Sequence, residues 1–187
     1  MQKFIHSAKE LRKLQNLVIC AAFGAISIIL GSLSISIGNT LKIGFGSIPN
    51  QFIAALFGPV TAGIFAGTMD IVKFILHPTG PFFPGFTIDA ILAGIIYGCF
   101  YYEPMKKGKK LSFCRILLAE AVVALFINIL LATYWLSILY GKAFLVMLPA
   151  RATKNVLVTP LNSILFYLIY NTLRRIIPAE SFSASYR

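Results

Sequence analysis

The chain has 187 residues, of which 58% are hydrophobic and 12% charged, against roughly 25% charged in an ordinary soluble domain. Seventeen Lys and Arg against six Asp and Glu give a net charge of +11, a balance that in a soluble protein points to nucleic acid. The mean hydropathy of +0.81 points instead to a lipid bilayer, in which the placement of basic residues reports topology. A spanning helix takes about 20 residues, so the length holds at most about six or seven spans and excludes a separate soluble domain.

Residues 1–13 carry Lys3, Lys9, Arg12 and Lys13 ahead of the apolar run 14–37. That run is longer than the core of a secretory signal, and further apolar runs follow, so it reads as a retained first span. It contains Ala21-x-x-x-Ala25, a small-residue face open to a neighbouring helix or to another subunit. Next come the polar and glycine-rich residues 38–48, a long apolar run 48–76, and a third run 86–102. A second basic segment, 103–115, holds Lys106, Lys107, Lys109, Lys110 and Arg115; two more apolar stretches, 113–139 and 150–177, then lead to Arg174, Arg175 and Arg187.

The positive-inside rule puts all three basic segments in the cytoplasm, so an even number of spans must separate each from the next. Three runs precede Glu103, and the long one divides most naturally at Gly58-Pro59, because proline removes a helix donor and clashes with the preceding turn. The expectation is an all-α integral membrane protein: a cytoplasmic segment 1–13, a six-helix membrane domain 14–177 with helices at about 14–37, 48–57, 59–76, 86–102, 113–139 and 150–177, and a cytoplasmic tail 178–187. The second helix would be about 15 Å long, half of a hydrocarbon core of about 30 Å. It cannot cross alone, so residues 38–48 are expected to dip in from outside as a lid or pocket wall. Gly63-x-x-x-Gly67 and Ala90-x-x-x-Gly94-x-x-x-Gly98 read as packing faces within the bundle. Cys20, Cys99 and Cys114 form no C-x-x-C pair and read as small apolar residues; neither a metal nor a cofactor is implied.

Twelve of the basic residues lie in the three cytoplasmic segments, and Lys42, Lys73, Lys142, Arg151 and Lys154 remain on the outer side with Asp70 and Asp89. For Lys73 and Lys142 snorkelling suffices, with Asp70 placed to pair with Lys73 at i, i+3. Arg151, Lys154 and Asn155 share a helix face after Pro149, open either to interfacial anchoring or to a carboxylate or phosphate. The connection from His77 to Thr87 packs three prolines and three phenylalanines into a stiff aromatic loop. Tyr134 and Trp135 stand toward the same end, with Asn128 two helical turns before Trp135. An aromatic belt accounts for Tyr134 and Trp135 taken alone. Rings and cations converging under a loop, however, describe a pocket for a flat, aromatic, anionic solute. The chain has no phosphate-binding loop, no H-E-x-x-H, no G-x-S-x-G and no acid pair at catalytic spacing, which disfavours an enzyme. Acidic residues within the spans are few, which also disfavours a self-sufficient secondary transporter of an organic anion, the class-level alternative.

With these features in place, the sequence resembles the substrate-binding S components of energy-coupling factor (ECF) vitamin transporters, and most closely the folate-specific members. The resemblance rests on Ala21-x-x-x-Ala25, on residues 41–50 (Leu-Lys-Ile-Gly-Phe-Gly-Ser-Ile-Pro-Asn), on Leu56-Phe-Gly-Pro59, on residues 78–87 (Pro-Thr-Gly-Pro-Phe-Phe-Pro-Gly-Phe-Thr), and on residues 148–155 (Leu-Pro-Ala-Arg-Ala-Thr-Lys-Asn). It implies a multi-pass protein of the bacterial cell membrane that captures folate from outside and docks on a membrane T subunit bearing two ATP-binding cassette ATPases. ATP hydrolysis would belong to those partners. It further implies that Ala21 and Ala25 face the T subunit, that the first outer loop with Lys42 caps the pocket, and that Phe82, Phe83, Phe86 and Trp135 stack on the ligand. Arg151 and Lys154 would take its carboxylates, and Asn128 or Asn155 the pterin edge. Riboflavin, thiamine and pantothenate are the other vitamins such a component could carry.

Overall fold

A computed structural model describes residues 7, 14–32, 34–37, 41–78, 81–106, 109–141 and 143–176. Within them run six helical segments: α1 (Leu14–Ser32), α2 (Ile48–Phe57), α3 (Pro59–Leu76), α4 (Pro84–Lys106), α5 (Phe113–Tyr140) and α6 (Phe144–Ile176). All but α2 are long and apolar enough to cross a membrane. Lys142, the basic residues of 1–13 and the tail 178–187 lie outside the described residues.

Two features depart from the sequence expectation. The first apolar run is not one helix to residue 37. It ends at Ser32, and Ser34–Ile37 (β1) pairs antiparallel with Leu41–Gly44 (β2), Ser36 opposite Lys42, before a 3₁₀ turn at Phe45–Ser47. Ser-Ile-Ser-Ile alternates with the period of a strand, and hydropathy summed along the run hides that alternation. The last helix starts at Phe144 rather than near residue 150, and Pro149 lies inside it. The stretch before the proline is wholly apolar. In lipid, leaving several backbone groups unpaired costs more than the single hydrogen bond that Pro149 removes.

The helices alternate in direction. Gly24 of α1 lies under Met69 of α3 and Gly31 under Lys73, so α1 and α3 run parallel. Helix α4 runs back close against α3, with glycines opposite backbone and Ile side chains: a Cβ on Gly94 would stand 2.5 Å from the Ala62 carbonyl oxygen, and one on Gly67 2.7 Å from the Ile91 side chain. The glycine stripes therefore serve packing within the chain. Gly58, at φ +86°, ends α2, and Pro59 opens α3. Eight of the ten residues of α2 are buried, which explains how so short a helix persists: its polar ends lie in protein rather than in lipid.

The two ends of the bundle differ. Around Gly58, Phe23, Phe52, Phe166, Tyr101 and Tyr170 form a continuous run of rings from α1, α2, α4 and α6, with centroids 5.0–6.2 Å apart. Ser7 closes this end. Its hydroxyl donates to the Phe57 carbonyl at 2.6 Å and accepts from the Val60 and Thr61 amides at 3.1 Å each, while the Thr61 hydroxyl donates to the Ser7 carbonyl at 2.9 Å. It thereby caps the orphan donors at the start of α3. The opposite end, bounded by Gly31, the hairpin, the 77–83 connection and the start of α6, encloses cavities.

Candidate functional site

Two cavities share a wall made by Asp70 and Lys73 of α3. The outer one, about 460 Å³, is lined by Phe74, His77, Phe82, Phe83, Phe86 and Tyr140 among others. Its rings are set by sequence-local means. In the proline-flanked stretch before α4, Phe82 packs against Phe74 (centroids 5.1 Å) and Phe83 against Phe86 (5.9 Å). Gly85 is needed directly behind them, because a Cβ there would stand 2.7 Å from the Trp135 ring. Trp135 in turn packs on Phe83 at 5.5 Å, and its indole N–H donates to the buried Asp89 carboxylate at 3.0 Å. Asp89 thus orients the tryptophan.

The inner cavity, about 280 Å³, reaches from Ser27, Gly46 and Ser47 past Asn50 to Tyr97 and Asn128. The segment after the hairpin forms one side of it. The Gly46 carbonyl accepts from the Ser27 hydroxyl at 3.0 Å and from the Lys73 ammonium at 3.2 Å. Gly46 approaches α1 so closely that a Cβ would lie 3.1 Å from the Gly31 Cα. Lys73 therefore does not snorkel: it is half-buried, and its charge is held at the junction of α1, α3 and the segment after the hairpin. Asp70, one turn earlier, accepts from the Thr87 hydroxyl at 2.8 Å, tying α3 to α4 beside the aromatic cluster. Below the cavity the Glu120 carboxylate accepts from Gln51 Nε2 at 2.6 Å and from the Tyr97 hydroxyl at 2.8 Å, which satisfies a buried acid with two neutral donors.

Chemically, the arrangement offers flat apolar walls outside, hydrogen-bonding groups inside and a cation between them. That suits an elongated solute with aromatic rings and negative charge.

The model of the ECF transporter substrate-specific component family matches residues 15–170. The chain belongs to that family. Several bacterial relatives are close. The folate transporter FolT of Clostridium novyi is 37% identical over 136 residues, covering 73% of this chain and 76% of that protein. The folate transporter FolT of Leuconostoc mesenteroides is 29% identical over 159 residues, covering 82% and 83%. A crystal structure of FolT bound with folic acid superposes with a TM-score of 0.74 at 33% identity, over 86% of this chain and 95% of that one. This substrate-specific component is accordingly a multi-pass membrane protein.

Among the residues singled out in the sequence, Phe82, Phe83 and Phe86 line the outer cavity and Asn128 the inner one. Trp135 reaches the wall through Phe83. Arg151, Lys154 and Asn155 line neither cavity. Arg151 crosses from α6 to α5, its guanidinium donating to the Asn128 carbonyl at 3.4 Å, and the Asn155 side chain donates back to the Arg151 carbonyl at 2.9 Å. The receiving carbonyl belongs to a π-helical stretch, Ala124–Leu131, within α5, a distortion frequent at functional sites. Lys42 pairs with Ser36 in the hairpin backbone, and its side chain lies outside the described residues. Ala21 and Ala25 are exposed and line a separate apolar groove of about 440 Å³ between α1 and α3.

Sequence reasoning missed Asn50, Phe74, His77, Tyr97 and the full part played by Asp70 and Lys73. One signal was present: Asp70, Lys73, Phe74 and His77 follow the i, i+3, i+4, i+7 spacing of a single helical face.

Proposed function

We propose that this chain is the folate-binding subunit of an ECF-type transporter. It captures the vitamin from outside and passes it inward after docking on a membrane T subunit with two ATPases. The observation that carries this reading is the pairing of an aromatic-walled outer cavity with a polar inner one across Lys73, in a chain that resembles FolT bound with folic acid over most of its length. Folate joins a flat pterin, a benzoyl ring and a glutamate with two carboxylates, so it needs ring faces, hydrogen-bonding groups and cations along one path. Phe82, Phe83, Phe86 and Trp135 supply the faces. Lys73, Arg151, Lys154 and Lys42 supply cations at the same end, and Asn128 and Asn155 supply amides.

In this reading the chain makes six spans in the bacterial cell membrane with both ends cytoplasmic, because three basic segments then lie inside. The bundle divides into a basic segment 1–13, a membrane domain 14–177 and a tail 178–187. Residues 38–48 cap the pocket, and Ala21 and Ala25 face the T subunit, where small exposed side chains let another helix approach.

The test is a titration in detergent with folic acid, riboflavin, thiamine and pantothenate, read by the fluorescence of Trp135, the single tryptophan. Tight binding of folic acid alone is expected. Tight binding of one of the others without folic acid overturns the assignment.

A further inference from the structure

We infer that Phe65 and Met69 form a movable wall shared by the inner cavity and the exposed groove between α1 and α3, so that a solute seated in the cavity alters the shape of the groove. This rests on the folate reading for its ligand. It adds a route by which the outer surface of the chain registers a filled pocket.

The two spaces lie back to back across α3. The inner cavity, about 280 Å³, takes Phe65, Ala66, Met69, Asp70 and Lys73 from that helix. The groove, about 440 Å³, takes Thr61, Ile64, Phe65, Thr68 and Met69 from it, with Ala21, Gly24 and Ala25 facing from α1. Phe65 and Met69, one helical turn apart, are the residues common to both. Each is buried, at 8% and 9% exposure.

On the α1 side nothing backs this wall. Gly24 has no side chain, and a Cβ there would stand 3.1 Å from Met69 Sδ and 3.8 Å from the Phe65 ring. One turn further along α1 the helix is fastened, because the Ser27 hydroxyl donates to the Gly46 carbonyl at 3.0 Å. The seam is therefore pinned at Ser27 and lined by a single layer of side chains at Gly24.

Core side chains ordinarily hold their positions because neighbours fill the space around them. Met69 instead borders a cavity on one face and a groove on the other, and an unbranched thioether with three rotatable bonds changes rotamer at low cost. A solute that touches it from the cavity favours the rotamers directed at Gly24, and that difference in contact shifts the population. Phe65, the stiffer ring, limits the movement to the methionine end of the wall. The face that the folate reading turns toward the T subunit thereby differs between a filled and an unfilled pocket.

The experiment places a trifluoromethyl tag on Ala25→Cys in the full-length chain carrying Cys20→Ala, Cys99→Ala and Cys114→Ala, and reads its fluorine resonance in detergent with and without saturating folic acid. Occupancy is followed independently by Trp135 fluorescence. A second tag, on Leu118→Cys, reports from an exposed position on α5 that lines neither space. Folic acid should shift the resonance at residue 25 and leave that at residue 118 in place. Met69→Ala, read at its own saturating folic acid concentration, should lose the shift. Met69→Ile keeps apolar bulk but is stiff at its first torsion; it should blunt the shift and serves if the alanine variant does not fold. Bound folic acid with no shift at residue 25, an equal shift at residue 118, or a full shift in the Met69 variants overturns the inference and leaves the folate reading intact. Failure of the tagged and untagged chains to bind folic acid overturns both.

Discussion

At the end of the bundle that holds Gly58 and Ser7, aromatic rings from four helices pack against one another, stacked or tilted, and Ser7 and Thr61 pair their polar groups with the backbone. At the end that holds Gly31, Lys73 and Trp135, helices α1 to α5 line two cavities, and Asn50 Oδ1 there has no hydrogen-bond partner among the described residues. Both ends are built from similarly apolar helices, so hydrophobicity does not distinguish them. The difference lies in where small residues let backbones touch and where a charged or amide side chain holds a gap. A binding protein needs both: a close-packed half that fixes the helix positions, and a half whose polar groups are left for a solute to complete.

The largest expected effect comes from breaking the packed half. Gly98→Val would drive a side chain into the Pro59 backbone, which cannot yield, and should cost about 3 kcal/mol or more. The readout is folded yield and melting temperature in detergent; an unchanged melt would show that α3 and α4 do not cross through the glycine stripe.

At the open half, Lys73→Met removes the ammonium that holds the Gly46 carbonyl and borders both cavities. Folic acid affinity should fall about tenfold to a hundredfold, the usual worth of a charged hydrogen bond, with little change in melting temperature. A lower melt with unaltered binding would make the lysine a packing element. Arg151→Ala should weaken folic acid by about tenfold while sparing a pterin that lacks glutamate. Equal losses for both ligands would mean that the guanidinium serves only to tie α6 to the Asn128 carbonyl.

Ser7→Ala gives the smallest effect and sharpens the contrast most. Loss of the cap on α3 should lower stability by about 1 kcal/mol, leaving folic acid binding within about twofold. A binding defect of the same size as that of Lys73→Met would show that the two halves are not independent.

Some of this was readable along the chain. Gly58-Pro59 advertises a helix break, since glycine tolerates the positive φ found there and proline opens the next helix. The phenylalanines of 82–86 sit among prolines and a glycine that leave few backbone choices. Other parts were hidden by competing signals. The Ser-Ile-Ser-Ile alternation of β1 was masked by continuous hydropathy, and Pro149 looked like a helix start although it lies inside α6. Lys73 near a helix end looked like an ordinary snorkelling residue, and only its partner shows otherwise.

By itself the sequence determined membrane residence, the small-residue faces and the aromatic connection, because each depends on composition or on spacing within one helix or loop; the family entered through the likeness of its motifs to those of known members. Tertiary structure alone decided which polar groups meet. Lys73 and Gly46 are 27 residues apart, and Gln51 and Glu120 are 69 apart. Whether such groups bond depends on the rotation and depth at which each helix packs. Those are set by many weak contacts across the bundle, such as Gly94 on Ala62 and Gly67 on Ile91, and no local pattern encodes them. That collective packing also leaves Asn50 Oδ1, at the wall of a cavity, with no hydrogen-bond partner among the described residues.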